Sequence, residues 1–252
     1  MRILEAKDNQ VLQDKKQNIF IQRCKNFYGR TKYAIWPFVV FASFLIVTFF
    51  GNQVIYWLRG GGYALQFHKL PIDDQIPLVS WFVYFYYLTF PLGIVAFFYL
   101  AYANKKSFYN LFYTLLISFA ISGVIYLFWQ THLTKPDFVP VSFTDKLVVS
   151  TWGSTDPINN FPSQHAFMAI AMIIACLSAG KDMKWWFKAF TIPCAIMIIL
   201  STFFTKQHYF IDWVASVAIM VPVYFGVTWF RARREKKQKV SKVSASEVEK
   251  EV

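Results

Sequence analysis

The sequence is poor in cysteine and in charge. It contains three cysteines in 252 residues, and charged residues make up only 16% of the chain. Three widely separated cysteines, Cys24, Cys176 and Cys194, supply neither a disulfide framework nor a cysteine-based zinc site. A soluble domain carries about a quarter charged residues, so the low charge argues against that class. The chain is instead 56% hydrophobic and 20% aromatic, which favours a membrane protein.

The charge that is present is mostly positive. The chain has 26 Lys and Arg against 14 Asp and Glu, a net charge of +12. In a soluble protein this excess would indicate a nucleic-acid partner. On so apolar a background we interpret the basic residues as anchors that orient membrane spans, and we expect no nucleic acid to bind.

Six stretches of the sequence are candidates for membrane spans, which need about 20 mostly apolar residues each. They are residues 33–58, 78–103, 109–129, 165–180, 189–205 and 213–230. With spans there, 21 Lys and Arg residues lie on one side and five on the other. The positive-inside rule places the first side in the cytoplasm. We therefore predict an all-α integral membrane protein, a bundle of six transmembrane helices with both termini cytoplasmic.

Composition divides the chain into three regions. Residues 1–32 form a basic cytoplasmic segment, and since they are hydrophilic we expect no cleaved signal peptide before the first span. Residues 33–230 form the membrane domain. Residues 231–252 are basic and then rich in Ser, Val and Glu, which predicts a disordered cytoplasmic tail.

All four histidines fall on the outer side of this topology or at its boundary. They are His68, His132, His165 and His208. Ionisable groups in or beside a membrane are costly, which makes them functional candidates.

One histidine directly follows a candidate anion-binding site. Residues 159–165 run directly into the fourth span, and Pro162 and Ser163 are residues typical of a helix start. Backbone N–H groups at a helix start attract anions, and His165 in the first turn could exchange a proton with the bound group. A helix cap with an interfacial histidine explains the same residues equally well.

A second histidine is paired with a carboxylate. His208 and Asp212 are four residues apart, so on a helix they share a face, and Asp212 could hold one ring nitrogen while the other acts as base or nucleophile. An interfacial ion pair is the alternative. Lys135, after the third span, belongs to the same membrane face and could neutralise phosphate oxygens.

Together these residues resemble the membrane-bound type 2 phosphatidic acid phosphatase superfamily. Its motifs are KxxxxxxRP, PSGH and SRxxxxxHxxxD, in this order. The matching residues here are Lys135-Pro136, then Pro162-Ser163-Gln164-His165, then Ser201-Thr202 followed by His208 and Asp212.

The resemblance implies a two-step reaction that needs no metal and no cofactor. His208 would form a phosphohistidine, Asp212 would orient it, and His165 would serve as acid and then base. Four motif positions would bind the substrate: Lys135, Ser163, Gln164 and Thr202.

The sequence departs from the family pattern at three positions. Phe128 stands where the first motif has its lysine, Lys135 stands where it has its arginine, and Thr202 replaces the arginine of the third motif. A lysine does not reproduce a bidentate guanidinium. We expect Lys206, one turn after Thr202, to supply charge to the substrate site.

The expected function is hydrolysis of a phosphomonoester or diphosphate on a membrane lipid at the outer face of a bacterial cell membrane. Phosphatidic acid, phosphatidylglycerophosphate and polyprenyl diphosphate are the candidate lipid classes. One alternative is a lipid phosphotransferase of the inositol phosphorylceramide synthase type. A zinc enzyme using His132, His165, His208 and Asp212 is another. The third is a non-catalytic transporter gated by the glycines at 60–62, which a flexible linker explains as well. The oligomeric state is left open.

Overall fold

The computed structural model describes residues 2–58, 68–154 and 158–248, so the glycines at 60–62 lie outside the described residues. Within these ranges the chain is helical, with one isolated bridge between His132 and Ile158. The α-helices are α1 (Arg2–Thr31), α2 (Ile35–Leu58), α3 (Pro71–Gln75), α4 (Val83–Ala103), α5 (Lys105–Phe128), α6 (Phe143–Ser154), α7 (Gln164–Ser178), α8 (Trp185–Phe204) and α9 (Phe210–Val248).

Five segments in the described part of the chain are long and apolar enough to cross a membrane. They are Lys15–Val47, Ser80–Ala103, Lys105–Phe128, Trp185–Phe204 and Phe210–Ser241. Where the sequence predicts a fourth span, α7 is apolar but has 15 residues, or about 22 Å, against about 30 Å of hydrocarbon. The prediction of an all-helical fold is therefore confirmed for the described residues, and five of their segments could cross a membrane. The count of six spans and the cytoplasmic termini stay predictions.

Helix α7 lies at the centre of the bundle and packs against α4, α5, α8 and α9. Its buried face is rich in alanine, namely Ala166, Ala169, Ala171 and Ala175. Small residues let neighbouring helix backbones approach closely inside a membrane. On α4, a Cβ at Gly93 would lie 2.8 Å from Cε of Met168, so glycine fits this crossing.

Two polar ends are separated by this apolar core. At one end, the Lys106 amine lies 2.6 Å from the Glu235 carboxylate, and Asn104 donates a hydrogen bond of 2.7 Å to Asp182. Helix α1 joins this end, where Arg30 lies 4.3 Å above the ring of Tyr102. The candidate site residues gather at the opposite end.

The structure differs from the sequence prediction in the tail. Residues 231–248 continue α9 as helix, whereas their composition predicts disorder. Arg, Lys and Glu favour helix, and a helix already nucleated in the apolar segment extends at low cost. The 39 residues of α9 span about 58 Å.

Candidate active site

His208 and Asp212 form the pair that their spacing predicts. His208 lies in the turn between α8 and α9, and its Nδ1 is 3.0 Å from Oδ2 of the fully buried Asp212. The same Nδ1 lies 3.1 Å from the carbonyl oxygen of Asn160. Because both neighbours are acceptors, Nδ1 must carry the proton, and the lone pair is then on Nε2. His208 is thus arranged as a nucleophile or a base.

A third residue, His68, forms a hydrogen bond with the other oxygen of Asp212. Its Nε2 lies 2.6 Å from Oδ1 of the carboxylate, so each Asp212 oxygen meets one imidazole. The ring of His68 lies edge-on to Phe161 and Tyr209, at 5.4 and 5.3 Å between ring centroids. His68 is one of the outer histidines of the predicted topology, but no motif in the sequence assigns it a role. That clustering of histidines is the one signal that could have identified it.

His165 lies beside His208, with their ring centroids 5.7 Å apart. Its ring stacks on Tyr86 at 4.4 Å and meets the edge of Phe90 at 6.0 Å. Both aromatic residues come from α4, and sequence reasoning missed them. They fix the imidazole in the first turn of α7, next to the nucleophile candidate.

Ser163 and Thr202 make hydrogen bonds that hold the ends of α7 and α8 in place. The Ser163 hydroxyl accepts a hydrogen bond from the Ala166 N–H and caps α7, while the Ser163 N–H donates to the Asp212 carbonyl at 3.3 Å. The Thr202 carbonyl accepts the N–H groups of Gln207 and His208 at 2.9 and 3.1 Å. Both side chains are buried and line neither of the two cavities described next.

A cavity of about 140 Å³ lies on one side of His208. Its charged and titratable lining residues are His208, the three lysines Lys69, Lys135 and Lys206, and the two aspartates Asp73 and Asp74. Lys69 is paired with the exposed carboxylate of Asp74. The cavity is therefore rich in cations and lies against the candidate nucleophile.

Two of these lysines are partly committed to protein oxygens. The Lys135 amine donates to the Lys206 carbonyl and to Oε1 of Gln207, both at 2.9 Å. The Lys206 amine donates to the carbonyls of Asp73 and Ile76. An ammonium group has three donors, so each lysine keeps one for an anion. Burial lowers the pKa of Lys135 to about 7, and burial also lowers the pKa of Lys206.

A second cavity, of about 230 Å³, lies on the side of His165. Apart from Gln164 and His165 its lining is mostly apolar, and it opens between α2 and α4. The residues at the opening are Ile46, Phe50 and Phe90, which are 58%, 61% and 53% exposed. Gln164 therefore sits with His165, away from the lysines.

The described structure does not bring the residues proposed as zinc ligands into a metal-binding arrangement. Among the residues that the structure describes, no group of three or more His, Cys, Asp or Glu side chains is arranged to hold a metal ion. His132 lies in the bridge to Ile158 and not in either cavity lining.

Comparison with known families gives one match. Residues 63–225 match the model of the PAP2 superfamily, which is more than half of the chain and includes every candidate site residue. No curated protein and no solved structure matches.

Proposed function

The chain belongs to the PAP2 superfamily, and on that premise we propose that it is a phosphatase that hydrolyses a phosphate ester or diphosphate of a membrane lipid. The observation that carries the proposal is the placement of His165 and His208 between two unlike cavities. One cavity is lined by lysines, as a phosphoryl group requires. The other is mostly apolar, as a hydrocarbon chain requires.

In the first step, Nε2 of His208 attacks phosphorus. A P–N bond forms and the bond from phosphorus to the leaving oxygen breaks, while His165 gives that oxygen a proton. Asp212 accepts the Nδ1–H of His208 and so stabilises the charge that develops on the ring. His68 holds the other carboxylate oxygen and acts as a positioning residue.

In the second step, water hydrolyses the phosphohistidine. His165, now neutral, takes a proton from the water as its oxygen bonds to phosphorus, and the P–N bond breaks to release phosphate. Lys135 and Lys206 neutralise the phosphoryl oxygens with their remaining donors. No metal or cofactor is required for either step.

The lipid is oriented by the two cavities. Its phosphate enters on the side of His208, and the leaving oxygen with its chain lies toward His165. The three candidate lipid classes of the sequence analysis, phosphatidic acid, phosphatidylglycerophosphate and polyprenyl diphosphate, all satisfy this arrangement. We place the reaction at the outer face of a cell membrane, following the charge distribution of the chain.

The test is phosphate release from a panel of these lipids in detergent, measured on wild type and on His208→Ala. We expect release with at least one lipid and its loss in the variant. His132→Ala is the matched histidine control and should remain active. Head-group exchange between lipids without phosphate release would favour the phosphotransferase. Lipid turnover that survives His208→Ala in a folded protein would contradict a catalytic His208.

Chelation separates this mechanism from a zinc enzyme. We expect phosphate release to continue after prolonged treatment with a strong chelator, since no step uses a metal. Loss of activity that added zinc restores would contradict the proposal.

A further inference from the structure

A large groove lies far from the histidines. It has a volume of about 680 Å³ and lies between α5 and α9. Arg231, on its rim, comes 19 residues after Asp212, or about 28 Å along the helix. This distance is close to the thickness of the hydrocarbon core, so the groove lies at the opposite face of the bilayer.

The deep part of the groove is apolar. Ile117 of α5 faces Val223 and Val227 of α9 across it. Between these two valines lies Gly226, where an added Cβ would meet nothing within 4 Å. The absence of a side chain at this position leaves room for a hydrocarbon chain.

The rim of the groove is cationic. The guanidinium of Arg231 lies over Tyr109 and Tyr113, at 5.5 and 5.3 Å from the ring centroids, and its buried Nε has no hydrogen-bond partner. Arg234 lies over Phe230 at 5.5 Å. Stacking on aromatic rings holds both guanidiniums without neutralising them.

The acidic residue of the rim is already paired. The carboxylate of Glu235 lies 2.6 Å from the amine of Lys106, so the charge of Glu235 is balanced by Lys106 and the two arginines remain in excess. Gln238 adds an uncharged amide. The rim therefore carries a net positive charge next to the apolar deep part of the groove.

We propose that this groove binds an anionic phospholipid of the leaflet that faces the chain termini. One acyl chain lies along Ile117, Val223 and Val227 over Gly226, and the phosphate meets the guanidiniums of Arg231 and Arg234. Guanidinium groups match phosphate oxygens in pairs, and basic pockets between helix ends select anionic lipids. The ammonium of a zwitterionic head group would meet like charge. The site is separate from the proposed catalytic centre and does not depend on its chemistry.

The test measures thermal unfolding of the purified protein in detergent, with added phosphatidylglycerol or phosphatidylcholine. We expect phosphatidylglycerol to raise the midpoint by several degrees and phosphatidylcholine to raise it much less. The double variant Arg231→Gln and Arg234→Gln should lose most of this preference. Glycerol phosphate, a head group without chains, should not stabilise.

Two further variants make the result specific. Arg233→Gln is the matched control, because Arg233 lies over Trp229 at 4.1 Å and does not line the groove; it should keep the preference. Gly226→Leu fills the apolar part of the groove without changing its charge and should abolish the preference for phosphatidylglycerol. The proposal is overturned if wild type shows no preference, if Arg233→Gln loses as much as the double variant, or if Gly226→Leu still responds fully.

Discussion

Asp212 is the residue on which the site converges. Its side chain is fully buried, and it accepts hydrogen bonds from His208, from His68 and from the N–H of Tyr209 at 2.9 Å. A buried carboxylate is stable as an anion only when such donors surround it. The carboxylate therefore cannot shift toward His208 without breaking its contact with His68.

This contact predicts the effect of changing His68. A hydrogen bond to a charged group contributes about 1.5–3 kcal/mol, so His68→Ala should lower kcat by about 10- to 100-fold with little change in KM. His68→Gln, whose amide can donate in place of Nε2, should recover much of the rate. Steady-state kinetics on both variants, with melting temperatures recorded, test this. If Gln is no better than Ala at equal stability, His68 does not act through its donor.

Lys135 predicts a pH dependence of substrate binding. Burial lowers its pKa to about 7, so the amine is charged below that pH and increasingly neutral above it. Because a neutral amine attracts phosphate weakly, KM should rise as the pH increases from 6 to 8, by up to about tenfold.

Lys135→Arg tests this explanation, since a guanidinium stays charged over the whole range and is the residue that the family has at this position. Its KM should change less with pH than that of wild type. Lys146→Met removes an exposed lysine of α6 and should leave the profile unchanged. Identical profiles for wild type and Lys135→Arg would assign the titration to another group.

At the scale of elements, hydrogen bonds connect the short helix α3 to the turn between α8 and α9. The carboxylate of the buried Asp73 accepts the N–H groups of Leu70 and Phe210, both at 2.8 Å. From the other side, the Lys206 amine donates to two carbonyls of the α3 segment. These contacts hold His68, two residues before Leu70, against Asp212.

Asp73→Ala should therefore weaken both stability and activity. The substitution leaves two backbone N–H groups without acceptors, at about 1–3 kcal/mol each where they stay buried, and it frees the segment that carries His68. Asp74→Ala is the matched control, because Asp74 is exposed and forms an ion pair with the exposed Lys69. Thermal unfolding and phosphate release should separate the two variants clearly, and equal effects would contradict a fastening role for Asp73.

The elements also define what the sequence could predict. His208 and Asp212 are four residues apart, and this spacing predicts the pair, although His208 lies in the turn before α9 and not on the helix. His68 is 144 positions from Asp212, and its contact depends on how α3 is fastened. The charge of Lys206 can be read from the sequence, but the hydrogen bonds from its amine to the carbonyls of Asp73 and Ile76 cannot. The cavities depend on the packing of several helices, which the sequence does not show. Composition also predicted disorder for the C-terminal residues in which α9 continues as helix.

At the scale of the whole molecule, the separation of two polar ends predicts a fixed orientation in the membrane. Cys24 on α1 is exposed and should face the cytoplasm. Ser142, exposed before α6, should face outward. Intact cells treated with a membrane-impermeant maleimide should label Ser142→Cys in a Cys24→Ser background, whereas Cys24 of wild type should react only after permeabilisation. The reverse pattern would invert the topology.

The sideways opening of the apolar cavity between α2 and α4 has a kinetic consequence. If the substrate enters there, it never leaves the bilayer, and enzyme and lipid meet by diffusion in two dimensions. The rate then depends on the mole fraction of substrate in the surface and not on its amount per volume. Diluting the substrate with inert lipid should slow turnover, while diluting the whole vesicle suspension should leave the rate per enzyme unchanged.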